Sequence, residues 1–274
     1  VSNDPMNYNL SFAVGSSFSS AETSSINLSP AAAYDAAVIR DAAGAAANKP
    51  FTTSPKIEIT DFSGNYVNTE AQISVLAAND DGSTGSVFGG PFSTSNGQLD
   101  MTTAGLNGFV GDYTLTYSAS VDRPGTTPFT YTGIQRINLT HGDLNKIFVT
   151  TQPSSGTATG ETLNTTPVVK LLDSSNNVVT GYANTNMSVA LVAASNGLAP
   201  TGTALQEVVS ATANATAVAG IADFGTLKVI GVPGTSYKLK FTLDGVTAVA
   251  AVTSDAFTVT HGAPASVEVT QTPV

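Results

Sequence analysis

Apolar and polar residues alternate along much of this chain with a period of two, the pattern of strands that bury one face. Met187, Val189 and Leu191 alternate with Asn186, Ser188 and Ala190. Lys146-Ile147-Phe148-Val149-Thr150-Thr151 predicts a strand that stops at Gln152-Pro153. Pro167-Val168-Val169-Lys170-Leu171-Leu172 predicts the next, and Asp173-Ser174-Ser175-Asn176-Asn177 supplies turn chemistry after it. Gly220 to Phe224, Tyr237 to Leu243 and Val249 to Thr260 complete the series. About seven strands in roughly 120 residues, separated by turn signals, predict an antiparallel β-sandwich. Ile57, Ile59, Tyr113, Leu115, Val169, Leu171, Phe224, Tyr237, Leu239 and Phe241 are the expected inward residues.

The pattern recurs as whole phrases. Ile26-Asn27-Leu28-Ser29-Pro30-Ala31, Ile137-Asn138-Leu139-Thr140-His141-Gly142 and Phe257-Thr258-Val259-Thr260-His261-Gly262 align without gaps. So do Tyr8-Asn9-Leu10-Ser11-Phe12, Tyr113-Thr114-Leu115-Thr116-Tyr117 and Tyr237-Lys238-Leu239-Lys240-Phe241. The spacing is that of a small sandwich and far exceeds a solenoid repeat. Thr53 to Val67 aligns with Thr165 to Val179, bringing Pro55 to Pro167, Asp61 to Asp173 and Asn65 to Asn177. The expected organisation is therefore residues 1–29 as the last two strands of a preceding domain, 30–140 and 141–261 as domains, and 262–274 as the first strand of a following one. Either the polypeptide continues at both ends, or the ends dock on neighbouring molecules.

Local propensity and the repeat disagree over one segment. Pro30 to Ala47 is Ala-rich, with Ser29 placed to cap and Pro30 at a first helical position, which favours a helix. The repeat lays Ala36-Ala37-Val38-Ile39-Arg40 over Lys146 to Thr151 and predicts a strand instead.

Asp61-Phe62-Ser63-Gly64-Asn65, after a strand that begins near a proline, resembles the Asp-x-x-Gly-Asn element of the immunoglobulin-like tandem repeats of large microbial surface proteins, the invasin and intimin type. Asp173-Ser174-Ser175-Asn176-Asn177 departs by placing Asn at the Gly position, which Asn tolerates in the left-handed conformation. Gly220-Ile221-Ala222-Asp223-Phe224 and Gly234-Thr235-Ser236-Tyr237-Lys238-Leu239 resemble the later elements of the same repeats. The first repeat keeps Gly108-Phe109 and Gly111-Asp112-Tyr113-Thr114-Leu115 without the full version. The resemblance implies an all-β chain of tandem immunoglobulin-like antiparallel β-sandwiches. It also implies a stalk, adhesin or cell-envelope coat, or a spacer within a secreted enzyme.

Composition narrows the function. Apolar residues make up 41% and charged residues only 11%, with Ser, Thr, Asn, Gly and Ala in their place. A net charge of −10 with ten Lys and Arg in all disfavours nucleic acid and docking on an anionic membrane. No apolar run approaches a membrane span and no signal peptide is visible. The absence of cysteine excludes disulfides and thiolate chemistry, and tilts the source towards microbes.

Candidate chemistry is sparse. His141 and His261, each followed by a glycine (Gly142 and Gly262), stand where one domain hands over to the next, as Pro30 does at the first junction. They read as hinge residues rather than as metal or pH-sensing sites. Asn79-Asp80-Asp81-Gly82-Ser83 is the densest acidic run; it reads as an Asp-Gly turn, with calcium the only cofactor its oxygens suggest. The segment 79–98, with Asp80, Asp81, Phe88 and Phe92, is the expected place for a ligand loop. Among six Asn-x-Ser/Thr sequons, Asn27, Asn138 and Asn186 are candidates for glycosylation. No nucleophile elbow or phosphate loop is present, so an enzyme is not expected. The sequence points to a structural component of an extended extracellular assembly on the cell surface: a filament, a surface layer or a stalk. Its partners would be neighbouring copies or repeats of itself. The alternatives are an adhesin that grips glycans or a receptor through its loops, and a spacer beside a catalytic domain.

Overall fold

The computed structural model describes residues 6–12, 21–121, 129–182, 185–198, 200, 214–217, 219–264, 266–268 and 270–271. Apart from one 3-10 turn at Thr180–Tyr182, every regular element in them is a β-strand. The chain divides into two compact units, Val1–Thr140 and His141–Val274.

The first unit opens with four short strands, β1 (Met6–Tyr8), β2 (Ser11–Phe12), β3 (Ala21–Glu22) and β4 (Ile26–Leu28). β1 pairs with β4 and β2 with β3, both antiparallel. A sandwich follows, made of β5 (Asp35–Arg40), β6 (Ala45–Ala46), β7 (Lys49–Pro50), β8 (Lys56–Thr60), β9 (Gln72–Asn79), β10 (Thr84–Phe88), β11 (Phe92–Ser93), β12 (Gln98–Asp100), β13 (Gly105–Asn107), β14 (Gly111–Val121) and β15 (Phe129–Thr140). One sheet has the order β12-β8-β5, and the other runs β6-β15-β14-β9-β10-β13-β7 with β11 also on β9.

The second unit repeats this plan with β16 (Lys146–Thr151), β17 (Thr157–Ala158), β18 (Val168–Leu172), β19 (Asn186–Ala193), β20 (Asn214–Thr216), β21 (Ile221–Asp223), β22 (Ser236–Leu243), β23 (Val252–Thr253) and β24 (Phe257–Thr260). Its sheets have the orders β16-β18-β21 and β17-β24-β22-β19-β20, with β23 also on β22. In both units the opening stretch changes sheet. β5 and β16 pair antiparallel with β8 and β18, and the two-residue strands β6 and β17 then run parallel to β15 and β24. Even the irregularity is shared: a bulge falls between Val38 and Arg40 in β5 and between Val149 and Thr151 in β16. These are immunoglobulin-like sandwiches.

The Ala-rich segment 30–47 forms strands, as the repeat requires and against its helical propensity. Ala36, Ala42, Ala45 and Ala47 are buried, and their small side chains let the changing strand lie close to both sheets. All ten expected inward residues are buried. Each belongs to one of two separate cores, one per unit. The long final strand expected from Val249 to Thr260 is interrupted, because Ser254 turns its hydroxyl inward. Ser254 Oγ accepts the Leu239 N–H at 3.0 Å and donates to the Asp255 carbonyl at 2.7 Å. Among the described residues beyond Thr260 there is no strand, and Val267 is exposed; Ala265, Val269 and 272–274 of the expected following strand lie outside the described residues.

A tyrosine closes each sandwich at the start of its longest ladder. Tyr113 Oη donates to the Phe109 carbonyl at 2.9 Å, and Tyr237 Oη accepts the Val232 N–H at 2.7 Å. This is the tyrosine corner of immunoglobulin-like folds. A glycine makes room for each ring: a Cβ on Gly108 would lie 2.4 Å from Tyr113 Oη, and one on Gly231 2.8 Å from the Tyr237 ring. Tyr237→Phe should cost the second unit about 1 kcal/mol, the net worth of one hydrogen bond. Gly231→Ala should cost more, because it displaces the ring itself. Denaturant unfolding of the single variants measures both, and equal effects would contradict this packing.

Candidate functional site

The element that the resemblance singles out builds the same site in both units. Asp61 stands just after β8, and its Oδ1 accepts the N–H groups of Ser63 (2.9 Å) and Asn65 (2.8 Å). Its Oδ2 accepts the Asn65 side-chain amide at 3.1 Å and the Ala31 N–H at 3.0 Å, thirty residues upstream. Asp173 reproduces each bond. Oδ1 takes Ser175 N–H (2.9 Å) and Asn177 N–H (2.8 Å), and Oδ2 takes the Asn177 amide (2.9 Å) and Gly142 N–H (2.8 Å). Each carboxylate thus holds four donors and pins the chain that opens its sandwich, at Ala31 or Gly142, to the turn after β8 or β18.

The five-residue motif follows from these bonds. An aspartate side chain can reach the N–H groups two and four residues ahead, closing an Asx-type turn. The fourth position must then be left-handed. Gly64 sits there with φ 79° and Asn176 with φ 68°, so the Gly-to-Asn exchange leaves the turn intact. At the fifth position the Asn amide supplies a third donor, which an ionised Asp could not. Asp61 and Asp173 are both buried, and a buried carboxylate persists only when its lone pairs are filled.

The expected junction residues take distinct places around this carboxylate. Pro30 is exposed and lacks an N–H, so Ala31 is the first donor after it. His141 is half-buried. Its Nε2 accepts the Thr180 N–H at 3.3 Å and lies 3.2 Å from Thr180 Oγ1. Nδ1 therefore carries the proton and donates to the Gly142 carbonyl at 2.9 Å. These bonds hold His141 within the second unit beside Gly142. His261 is exposed, while a Cβ on Gly262 would approach the Thr159 carbonyl at 3.1 Å.

Segment 79–98, where a ligand loop is expected, is largely strand and turn, and Phe88 and Phe92 are both half-buried. Phe92 is half-buried against the first core, and Phe88 lies over Gly105, where a Cβ would meet its ring. Phe88 ends β10, which returns along β9, and Phe92 stands on β11, which pairs with the start of β9. Asp80 pairs with Arg136 at 2.9 Å, both largely exposed. Asp81 Oδ1 accepts the Ser83 N–H at 2.7 Å, and hydrogen bonds from Ser83 hold its carboxyl below the ordinary value. Among the described residues no three His, Cys, Asp or Glu side chains gather where they could hold a metal ion. Asn27, Asn138 and Asn186 are exposed, but Asn138 spends its amide on Asp112 Oδ1 at 2.7 Å. The exposed apolar residues lie elsewhere, with Leu76 and Ile134 in one row across Thr116, and Tyr34 edge-on to Phe62 at 5.0 Å.

No family model matches the chain, and no curated protein matches it. Two solved structures are similar over most of it. One is domains 4–9 of the surface layer protein SbsC, at 17% identity and a TM-score of 0.26, covering 93% of this chain and 35% of that one. The other is Escherichia coli alpha-2-macroglobulin activated by porcine elastase, at 13% identity and a TM-score of 0.32, covering 94% of this chain and 25% of that one. The chain thus spans about a third and a quarter of their lengths.

Two outcomes test the carboxylate site. Asp173→Ala leaves buried donors unfilled and should destabilise the second unit by roughly 3 kcal/mol, read from its denaturant transition. Asp61 has a carboxyl held below its ordinary 3.8, chiefly by the Ala31 N–H and then by the Asn65 amide. Its contribution is therefore complete above the unfolded value and is lost as pH falls from there through the lower folded value. The first unit should lose stability below about pH 4, and Asp61→Asn should flatten that acid slope. An unchanged slope in the variant would contradict the assignment.

Proposed function

We propose that this chain is a structural segment of an extended extracellular assembly, a surface filament, surface layer or stalk, built from tandem immunoglobulin-like units of the kind found in invasin- and intimin-type proteins. The observation that carries the reading is the repeated joint. β15 ends at Thr140, and two residues later the second unit has fastened its own first residues, with Gly142 held by Asp173. The same arrangement at Ala31 and Asp61 makes this a rule of construction rather than an accident of one linker. Modules joined by a flexible tether need no such fastening; modules that carry load or set a fixed spacing do.

The surface suits that role. Few charges, many hydroxyls and amides, and a net charge of −10 give sides that stay soluble and can pack laterally without strong mutual repulsion at each contact. Among the described residues no helix is long and apolar enough to cross a membrane. Neighbouring repeats or copies are the partners, and the cell surface is the location. Antibody raised against residues 30–261, applied to intact cells and read by gold labelling, should decorate a continuous surface structure. Label found only inside permeabilised cells would overturn the proposal.

A further inference from the structure

The first hairpin is a third copy of the ladder that closes both units. Tyr8 faces Ile26, as Tyr113 faces Ile137 and Tyr237 faces Phe257. The match to the second unit extends to its irregularity. Ser11 pairs with Glu22 and Phe12 with Ala21, one residue out of step with β1–β4, and Lys240–Thr253 and Phe241–Val252 slip by the same residue. At that slip the Leu10 N–H donates to Thr23 Oγ1 at 3.1 Å, while Thr23 N–H bonds the Leu10 carbonyl at 2.9 Å. Leu239 and Ser254 make the same two bonds, at 3.0 and 2.8 Å. A hydroxyl-bridged bulge at a matching register is a specific construction, and two copies of it mark one structural role.

The role differs in one respect, which is cover. Tyr237, Leu239, Phe241, Phe257 and Val259 are at most 2% exposed. Tyr8, Leu10, Phe12, Ile26 and Leu28, at the matching positions, are between 41% and 58% exposed. In the second unit the cover is the three-stranded sheet β16-β18-β21, with Ile147, Val149, Val169, Leu171 and Ala222 facing the ladder in one core. Beyond the end of β21, Phe224 lies 5.1 Å from Phe241. Met101 is buried at the corresponding place in the first unit.

We infer that the apolar face of Tyr8, Leu10, Phe12, Ile26 and Leu28 is a docking surface for the three-stranded opening sheet of a further immunoglobulin-like unit. The partner is an antiparallel sheet with alternating Ile, Val and Leu on its inner face and a bulky apolar side chain over Phe12. A two-stranded hairpin with one bare face is marginal by itself, so docking and ordering of this segment are one event. The inference deepens the tandem-unit reading, and it can fail while surface labelling succeeds.

Amide hydrogen exchange on the 274-residue chain tests it, because Leu10 and Leu239 donate the same bond under different cover. The Leu10 amide should exchange at least about 1000-fold faster than that of Leu239. Two fusions then supply the missing sheet at the native chain spacing: residues 30–108 placed directly before Asp4, and residues 141–231 placed directly before Asn3. In at least one of them Leu10 should slow by a similar factor, and Phe12→Asp should abolish that gain. Leu10 as protected as Leu239 in the 274-residue chain would overturn the inference, since this chain or a second copy would already cover the face. Failure of both fusions to slow Leu10, or a gain that survives Phe12→Asp, would also overturn it.

Discussion

Four hydrogen-bond donors converge on one buried carboxylate in each unit, and three of them come from its own hairpin while the fourth comes from the first residues of the domain. The first three make a rigid turn. The fourth converts that turn into an anchor for the incoming chain. A strand that must later leave one sheet for the other needs its starting point fixed, or its register would be free to slide. Here the start is fixed at Ala31 and Gly142, the bulge follows at Ile39 and Thr150, and the crossing follows that.

The two units meet the cost of that crossing differently. In the first, buried Gln135 of β15 accepts the Ala42 N–H at 3.0 Å through Oε1 and donates to the Ala42 carbonyl through Nε2, acting as a piece of strand. Tyr117 donates to the same Oε1 at 3.1 Å, and burial pushes its phenol well above the ordinary value. The second unit puts Phe241 where Tyr117 stands and covers it with Phe224. Its Gln152 instead reaches Asp255 N–H at 2.9 Å across the broken final strand. One solution is polar, the other aromatic.

What the sequence made legible depended on repetition. Local propensity alone would have made 30–47 a helix; comparison with Lys146 to Thr151 made it a strand, since two copies of one fold must share their elements. The Asp-x-x-Gly/Asn-Asn motif announced a turn, but its long-range bond to Ala31 or Gly142 carries no sequence mark of its own. Gln135 was hidden for a different reason. It sits inward while its neighbour Ile134 points to water, so hydropathy reads that pair backwards, and only the backbone of Ala42 explains the choice. The element Gly97-Gln98-Leu99-Asp100-Met101 escaped notice because Leu and Met replace Ala222 and Phe224. The ladders show the equivalence: Leu99 faces Ile57 as Ala222 faces Val169. Glycines and a proline around Phe88 and Phe92 look like a loop, whereas both residues stand on strands and are half-buried.

A string of such units gains its character from where each one begins. If the carboxylate holds the incoming chain, the exposed Ala31's amide should exchange with solvent far more slowly than its surroundings allow, and the amide of buried Gly142 should be protected too. Site-resolved hydrogen exchange of these two amides in the native chain is the most direct measurement. The account predicts protection approaching that of core strands, about 1000-fold or more over an open amide. Exchange of Ala31 and Gly142 at the rate of an unbonded surface amide would contradict it, and the opening chain of each sandwich would be loose instead of fastened.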